Sequence, residues 1–361
     1  MSEKLIRVGI TIGDINGIGL EVIIKSFTDL KLFANTIPII YGSTKVVSFH
    51  KKAINNESLN FMTIQNADEA KPKKINVINC WNEDVKINLG VQNETGGKYA
   101  LKSLSAATDD LKTNKIDVLL TAPINKDGVK SAGFEFPGHT EYLAHMSNTE
   151  DVLMVLVADD LRVAVATGHV PLKEVSELIT PELLTAKLNL FINSLKRDFA
   201  IPRPKIAVLG LNPHAGDRGT LGEEELNVIN PVVKSFHDKG DLVYGAYAAD
   251  GFFGSSNLNN FDGVLAMYHD QGLTGFKAIS FDVGVNFTAG LPIVRTSPDH
   301  GTAYDIAGKG VASEQSFRNA YFLACDVYKK RLLHKEINAN PLQPQRQEKN
   351  KPKPKPKPKV S

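Results

Sequence analysis

Three apolar, strand-like runs each end on a histidine: "RVAVATGHV" at His169, "KIAVLGLNPHAG" at His214 and "VLAMYHDQGL" at His269. In an open α/β sheet the C-terminal ends of the strands line the ligand crevice, so imidazoles placed there can converge. Neutral imidazole is a common ligand for divalent metals, and three of them leave a coordination position for water or substrate. A hydrogen-bonded loop histidine is the plainer account of any one; the three together favour a metal site. A second cluster is "FEFPGHTEYLA" (134–144), where Pro137-Gly138 makes a turn and Thr140-Glu141 suits a helix start. His139 and Thr140 there can donate to an anion alongside free backbone amides, or simply cap the helix. Lys277, Asn286 and Arg295 are spread along "FKAISFDVGVNFTAGLPIVRTSPDHGT". Each alone reads as a surface residue; with His139 and Thr140 they can clamp a phosphate or carboxylate, the arginine bidentately. Three groups are candidates for a general base: Asp270 beside His269, Asp250 in "YAADGFFG", and Lys277 if a metal's charge lowers its pKa. The sequence does not choose among them. His50, His237 and His334 read as surface residues, and His145 sits within a helical stretch.

Positioning such groups takes regular elements. Short β-branched runs at 7–12, 36–42, 115–123, 151–158, 162–168, 205–211 and 262–268 alternate with helical stretches such as 96–114 and 180–199. In the latter, Thr180 suits an N-cap with Pro181 at the first helical position. Leu183, Leu184, Leu188, Phe191, Ile192 and Leu195 then form one apolar face. The alternation predicts an α/β fold with a largely parallel sheet. No internal repeat is present.

The glycine-rich stretches carry less. "ITIGDINGIGLEV" (10–22) follows the first strand but fails as a dinucleotide fingerprint, because Val22 occupies the third glycine position. There is no GxxxxGK[ST] phosphate loop. "DHGTAYDIAGKG" (299–310) is a polar loop running towards the last helix and only a weak pointer to a ligand on its own.

Composition excludes several classes. The 361 residues suffice for two domains, and 42% hydrophobic with 23% charged residues is ordinary for a globular protein. From Pro341 onward seven Lys or Arg face one Glu, a contribution of +6, so the formal +2 conceals a body near −4. That balance argues against a nucleic-acid-binding domain. Cys80 and Cys325 are too few for a disulfide framework and too distant for a CxxC motif, which fits a reducing compartment. No signal-like or membrane-spanning apolar run is apparent, so a cytoplasmic protein is expected. The Lys/Pro-rich stretch 341–361 is expected to be a disordered tail.

Taken in order, "GDINGIG", "TAPINK", "PGHTEYLA", "ATGHVPL", "LGLNPHAGD", "DGVLAMYHDQG" and "NFTAGLPIVRTSPDHGTAYDIAGKG" resemble the 4-hydroxythreonine-4-phosphate dehydrogenase family. The likeness runs from about Arg7 to about Lys335. The pieces "GDINGIGLEV" and "HGTAYDIAGKG" are also similar to isopropylmalate dehydrogenase, which explains a dehydrogenase without the usual fingerprint. The resemblance implies two α/β/α subdomains with largely parallel sheets (about 1–135 with 285–338, and about 136–284, within a 1–338 body) and an active-site cleft between them. It implies a divalent metal (zinc, cobalt or magnesium) on His169, His214 and His269. Substrate would meet His139, Thr140, Lys277, Asn286 and Arg295, and NAD or NADP would meet the loop of His300, Gly301 and Asp305. The implied reaction is oxidation of 4-phosphooxy-L-threonine to a β-keto acid that decarboxylates, in vitamin B6 biosynthesis. The implied assembly is a homodimer with the site at the subunit boundary and one metal ligand, suggested as His269, from the partner; no nucleic acid or membrane is involved. Phe252, Phe253, Leu258 and Phe261 would then either fill their own core or join the contact surface.

The chain departs from the family in the first loop, where Ile12, Ile15, Asn16 and Leu20 replace Pro, Pro, Ala and Pro. Fewer prolines should loosen the unfolded chain and the loop, without removing a reactive side chain. Two rivals remain at this point: a relative acting on threonate or erythronate 4-phosphate, and a three-histidine metallohydrolase of phosphate esters. The hydrolase has no use for the "HGTAYDIAGKG" loop. A purely structural metal site is disfavoured by three ligands without a fourth.

Overall fold

The computed structural model describes residues 4–28, 33 and 35–340; the Lys/Pro-rich stretch lies outside them. Among the described residues, twelve strands form one sheet. They are β1 (Ile6–Thr11), β2 (Thr36–Gly42), β3 (Phe61–Ile64), β4 (Ile75–Asn79), β5 (Val118–Thr121), β6 (Leu153–Ala158), β7 (Leu161–Val165), β8 (Lys205–Leu209), β9 (Leu242–Tyr247), β10 (Gly263–Ala266), β11 (Val285–Ala289) and β12 (Arg295–Pro298). The spatial order is β3-β4-β2-β1-β5-β12-β11-β6-β7-β10-β8-β9. Both wings are parallel, and the centre is antiparallel: β12 with β11, β11 with β6, and β6 with β7. Every strand expected from the apolar runs is present, as are the helices Glu94–Lys112 and Pro181–Arg197. Thr180 caps the second, accepting the Leu183 amide at 3.2 Å.

The two faces of the sheet are covered differently. On one face Ile10, Leu120, Phe287, Val155, Leu265 and Val208 belong to a single core that spans both wings. Helix Gln315–Ala339 contributes Phe317, Ala320 and Ala324 to it. On the other face the apolar cover is split. One cluster holds Ile39, Leu119 and Leu143, and a second holds Leu156, Val163, Ala207 and Phe276. Between them the central strands turn Asn286, Thr288, Arg295 and Ser297 outward, alternate positions of β11 and β12. Period-two alternation thus buries Phe287 and Val285 while leaving a polar floor on the opposite side.

The first loop is densely packed: Ile12, Ile15, Asn16 and Leu20 are all completely buried. One expectation needs correction: His50 is not at the surface. It is fully buried, and its Nε2 lies 2.8 Å from the Ile15 carbonyl, pinning that loop from helix Thr44–Ala53. Burial lowers its pKa from 6.5 to about 4. As pH falls the unfolded chain therefore takes up this proton first, and stability is lost between about pH 6.5 and 4. The shift corresponds to about 3 kcal/mol. His50→Gln keeps a donor for Ile15 and removes the titration, so its urea midpoint should fall less between neutral and mildly acid pH. Equal pH slopes for the two proteins would contradict this.

Candidate active site

The gap between the two apolar clusters is a cavity of about 530 Å³. Its floor comes from adjacent central strands: Thr121 on β5, Arg295 and Ser297 on β12, Asn286 on β11, and Met154 and Leu156 on β6. The register places Asn286 opposite Ser297 and opposite Leu156. One wall is helix His139–Met146, with His139, Thr140 and Glu141 at its N-terminal turn. The facing wall is helix His269–Ser280. There His269, Leu273 and Lys277 recur every four residues and so share the face that lines the cavity. The sequence suggested that the run empties into a loop at His269. Instead a helix begins at that residue, and this is what stacks the lysine beneath the histidine.

Arg295 is the most unusual group in the cavity. It is 3% exposed and, among the described residues, has no carboxylate within ion-pairing distance. Its guanidinium donates to Thr121 Oγ1 from Nε and Nη2 (3.0 and 2.8 Å) and to Thr288 Oγ1 at 3.3 Å. A fourth contact, 3.4 Å, runs from Nη2 to His139 Nδ1. Burial pulls its pKa down to about 10, which leaves it charged at neutral pH. Burial and then Arg295 itself hold His139 well below the usual histidine range, so the ring is neutral. Accepting at Nδ1, it carries its proton on Nε2, a buried donor with no partner. A buried cation that Glu141 favours from beyond ion-pairing distance and that is hydrogen-bonded to neutral groups, beside an orphaned donor, is a place for an anion.

The other end of the cavity is rich in acceptors. Asn286 Oδ1, Asp299 Oδ2 and His300 Nε2 are all buried without a hydrogen-bond partner among the described residues. His300 Nδ1 faces the Gly301 carbonyl at 3.0 Å, so its free Nε2 is the accepting nitrogen, and burial lowers its pKa. Burial raises the Asp299 pKa, opposed by Lys277, whose Nζ lies 3.6 Å from Oδ2. Native proteins leave few such atoms unsatisfied, and four of them share this one cavity. Asp299 escaped the sequence reading, as did Thr121, Lys126 and Glu141 on the lining. A carboxylate directly before His300 in "SPDHGT" was the available signal for Asp299.

Of the three strand-exit histidines, the structure brings two together. The rings of His169 and His269 lie 5.3 Å apart, and both line the cavity. Burial, then Lys126 and His269, lower the His169 pKa, which favours its neutral form. Among the described residues no three His, Cys, Asp or Glu side chains converge as a metal centre. His214 stands apart, exposed, on the segment Pro213–Gly219. It is therefore His214, not His269, that lacks its fellows within one chain. Residues 214–218 all have φ between 40° and 79°, a left-handed turn that costs roughly 1–2 kcal/mol per non-glycine residue. Asp270, 2.7 Å from His269 Nδ1, points outward, and Asp250 is exposed and absent from the lining. Phe252 is buried, and the half-buried Phe253, Leu258 and Phe261 pack against the same cluster.

The two glycine-rich stretches meet. The Ile18 amide donates to the Thr302 carbonyl at 3.0 Å, and Tyr304 donates to buried Asp14 Oδ2 at 2.7 Å. Glu21, fully buried, accepts the Gly308 and Ala312 amides at 3.1 and 2.9 Å. Gly17 is required there, since a Cβ would sit 2.7 Å from the Thr302 carbonyl oxygen. His300 and Gly301 line the cavity at the end of this pinned segment, while Asp305 is exposed and outside the lining. Among the described residues no helix is long and apolar enough to cross a membrane.

A sequence profile of the family described as pyridoxal phosphate biosynthetic protein PdxA matches residues 34–324. The chain is 51% identical over 346 residues to a 4-hydroxythreonine-4-phosphate dehydrogenase of Bacteroides thetaiotaomicron, covering 96% of this chain and 95% of that one. A D-threonate 4-phosphate dehydrogenase of Cupriavidus necator is 37% identical over 335 residues, covering 92% and 100%. The crystal structure of a 4-hydroxythreonine-4-phosphate dehydrogenase from Klebsiella pneumoniae superposes with a TM-score of 0.77 at 34% identity, covering 91% of this chain and 98% of that one. With this fold and this cavity, the chain belongs to the PdxA family and is an oxidoreductase.

Proposed function

We propose that the chain oxidises 4-phosphooxy-L-threonine to 2-amino-3-oxo-4-phosphooxybutanoate, with NAD or NADP as hydride acceptor. Loss of carbon dioxide then gives 3-amino-2-oxopropyl phosphate on the way to pyridoxal phosphate. The observation that carries this is the polarity of the cavity. Buried Arg295 and the His139 donor at one end suit a phosphate, and the acceptors Asn286 Oδ1, Asp299 Oδ2 and His300 Nε2 suit an ammonium group. A threonate phosphate carries a hydroxyl where this substrate carries that ammonium, and so offers less to Asp299.

The donor set also fits a divalent metal. His169 and His269 supply two adjacent imidazoles of the type preferred by zinc or cobalt over magnesium. We propose His214 of a second copy as the third ligand, which makes the active unit a homodimer. Val170 and Leu172 support this, being exposed beside the histidine pair. A bound metal would supply a Lewis acid for the hydroxyl being oxidised and for the ketone that loses carbon dioxide. The chain's own residues do the positioning. Arg295, His139 and Thr140 hold the phosphate, Asn286 orients the amino acid end, and Lys277 beside Asp299 is the favoured proton carrier. Asp250 and Asp270, facing outward, would reach substrate only across a subunit boundary. The pinned segment with His300, Gly301 and Asp305 is proposed to face the dinucleotide. The split apolar cover suggests two subdomains, about 1–135 with 285–338 and about 136–284, with the site between them.

A substrate comparison tests the assignment. kcat/KM for 4-phosphooxy-L-threonine should exceed that for D-threonate 4-phosphate by about 100-fold, the scale of one charge-assisted hydrogen bond in a dry site. Asp299→Asn should narrow that ratio. A preference for the threonate phosphate would transfer the chain to the rival substrate.

A further inference from the structure

The left-handed turn that carries His214 has a feature beneath it that the reaction does not use. Glu225, 1% exposed, opens the π-helical stretch Glu225–Ile229 and turns its carboxylate back under the turn. Oε1 accepts the backbone amides of Leu211 and Asn212 at 2.7 and 2.8 Å. Oε2 accepts Asn212 Nδ2 at 3.0 Å, and the same amide nitrogen also donates to Glu224 Oε2 at 2.8 Å. Gly216 closes over the carboxylate so tightly that a Cβ there would sit 2.6 Å from Glu225 Oε2. Gly210, at the other end of the segment, would bring a Cβ to 3.0 Å from Oε1. No cation pairs with Glu225 among the described residues; its charge is met by peptide and amide N–H groups alone.

From this we infer that Glu225 is the positioning residue for His214, anchoring residues 211 and 212 at the entry to the left-handed turn 214–218 that carries the exposed imidazole. The inference rests on the proposed role of His214 as a shared metal ligand. Its mechanical part stands on the hydrogen bonds above. Left-handed backbone at non-glycine residues persists only where its surroundings over-determine it. Here the surroundings are the buried Glu225 carboxylate against Gly216, with backbone hydrogen bonds from the Ala215 amide to Asn212 and from the Leu221 amide to Gly216, both 3.1 Å. A ligand presented to another chain cannot be steered by that chain's own metal-bound neighbours before assembly, so it must be pre-aimed.

Amide hydrogen exchange across 211–219 in metal-free protein reads the mechanical part, and titration with Co²⁺ followed by its visible absorption reads the consequence. Glu225→Ala should speed exchange of the Leu211 and Asn212 amides at least ~10-fold while exchange in β1 and β10 stays unchanged, and should weaken Co²⁺ binding by ~10–100-fold. Glu225→Gln keeps an accepting oxygen for both backbone amides and should stay within ~3-fold of wild type in exchange. Gly216→Ala, at a buried position where the new methyl group meets Glu225 Oε2, should reproduce the Glu225→Ala result and serves if that variant does not fold. His214→Ala separates the two levels. If it leaves Co²⁺ binding intact, the shared-ligand reading is wrong, and the exchange data alone then judge Glu225. Unchanged exchange at 211–219 in both Glu225→Ala and Gly216→Ala would overturn the inference, even with His214 established as a ligand.

Discussion

His214→Ala should abolish metal-dependent turnover while leaving the melting temperature within a few degrees of wild type. The side chain is exposed and makes no hydrogen bond among the described residues, so little packing is lost with it. A surface change of this kind is ordinarily within about 0.5 kcal/mol. His269→Ala should be equally inactive, because it removes one of the two imidazoles that stand 5.3 Å apart in the cavity. The informative result comes from mixing them. In a hybrid dimer, the site built from the His214→Ala chain's own His169 and His269 receives an intact His214 from its neighbour. The other site collects both lesions. Random pairing should therefore restore roughly a quarter of wild-type activity. No recovery, with subunit exchange demonstrated, would mean that each site is assembled within one chain, and a monomer by light scattering would reject the shared site altogether.

Arg295→Met should raise KM for the phosphorylated substrate by about 10–150-fold, equivalent to 1.5–3 kcal/mol for charge-assisted hydrogen bonds. NAD binding should change much less. The same substitution should leave stability unchanged or increase it. Arg295 is a buried cation hydrogen-bonded to Thr121, Thr288 and His139 and without an ion pair among the described residues, so removing it relieves a desolvation cost that Glu141, beyond ion-pairing distance, offsets only in part. A gain in stability with a loss of binding is the signature of a group held for its ligand. Inorganic phosphate should accordingly raise the melting temperature of wild type and not of the variant. Equal losses for NAD and substrate would move Arg295 to the cofactor side.

Much of this site was legible in the residues. The β-branched runs gave β1, β2, β5, β6, β7, β8 and β10, though not β3, β4 or β9, and "PGHTEYLA" gave a helix whose first turn does face the cavity. Of the central strands β6 and β7 were legible and β11 and β12 were not, for a physical reason. β11 and β12 carry Asn286, Thr288, Arg295 and Ser297 on their site face, so neither forms the apolar run by which a buried strand is recognised. The polar floor that makes the cavity useful is what hid its strands. Lys277 read as a surface residue because its helix, His269–Ser280, begins without a side-chain N-cap to mark its start. Gly272 is in fact buried against Val163, Val165 and Ala266, where a larger residue would not pack. His50 read as a surface residue because lysines follow it; the carbonyl it serves lies 35 residues away in sequence. The left-handed turn at His214 has only one glycine among its five residues, so it leaves no local signature. Its cause, Glu225, lies eleven positions on.

The central claim is metal-dependent oxidation of a phosphorylated amino alcohol acid, and NADH absorbance tests it most directly. 4-Phosphooxy-L-threonine added to protein with NAD or NADP should produce reduced dinucleotide, a chelator should abolish the signal, and added zinc, cobalt or magnesium should restore it. Reduced dinucleotide formed at the same rate in chelator-dialysed protein, or none formed with metal, cofactor and substrate all present, would contradict it.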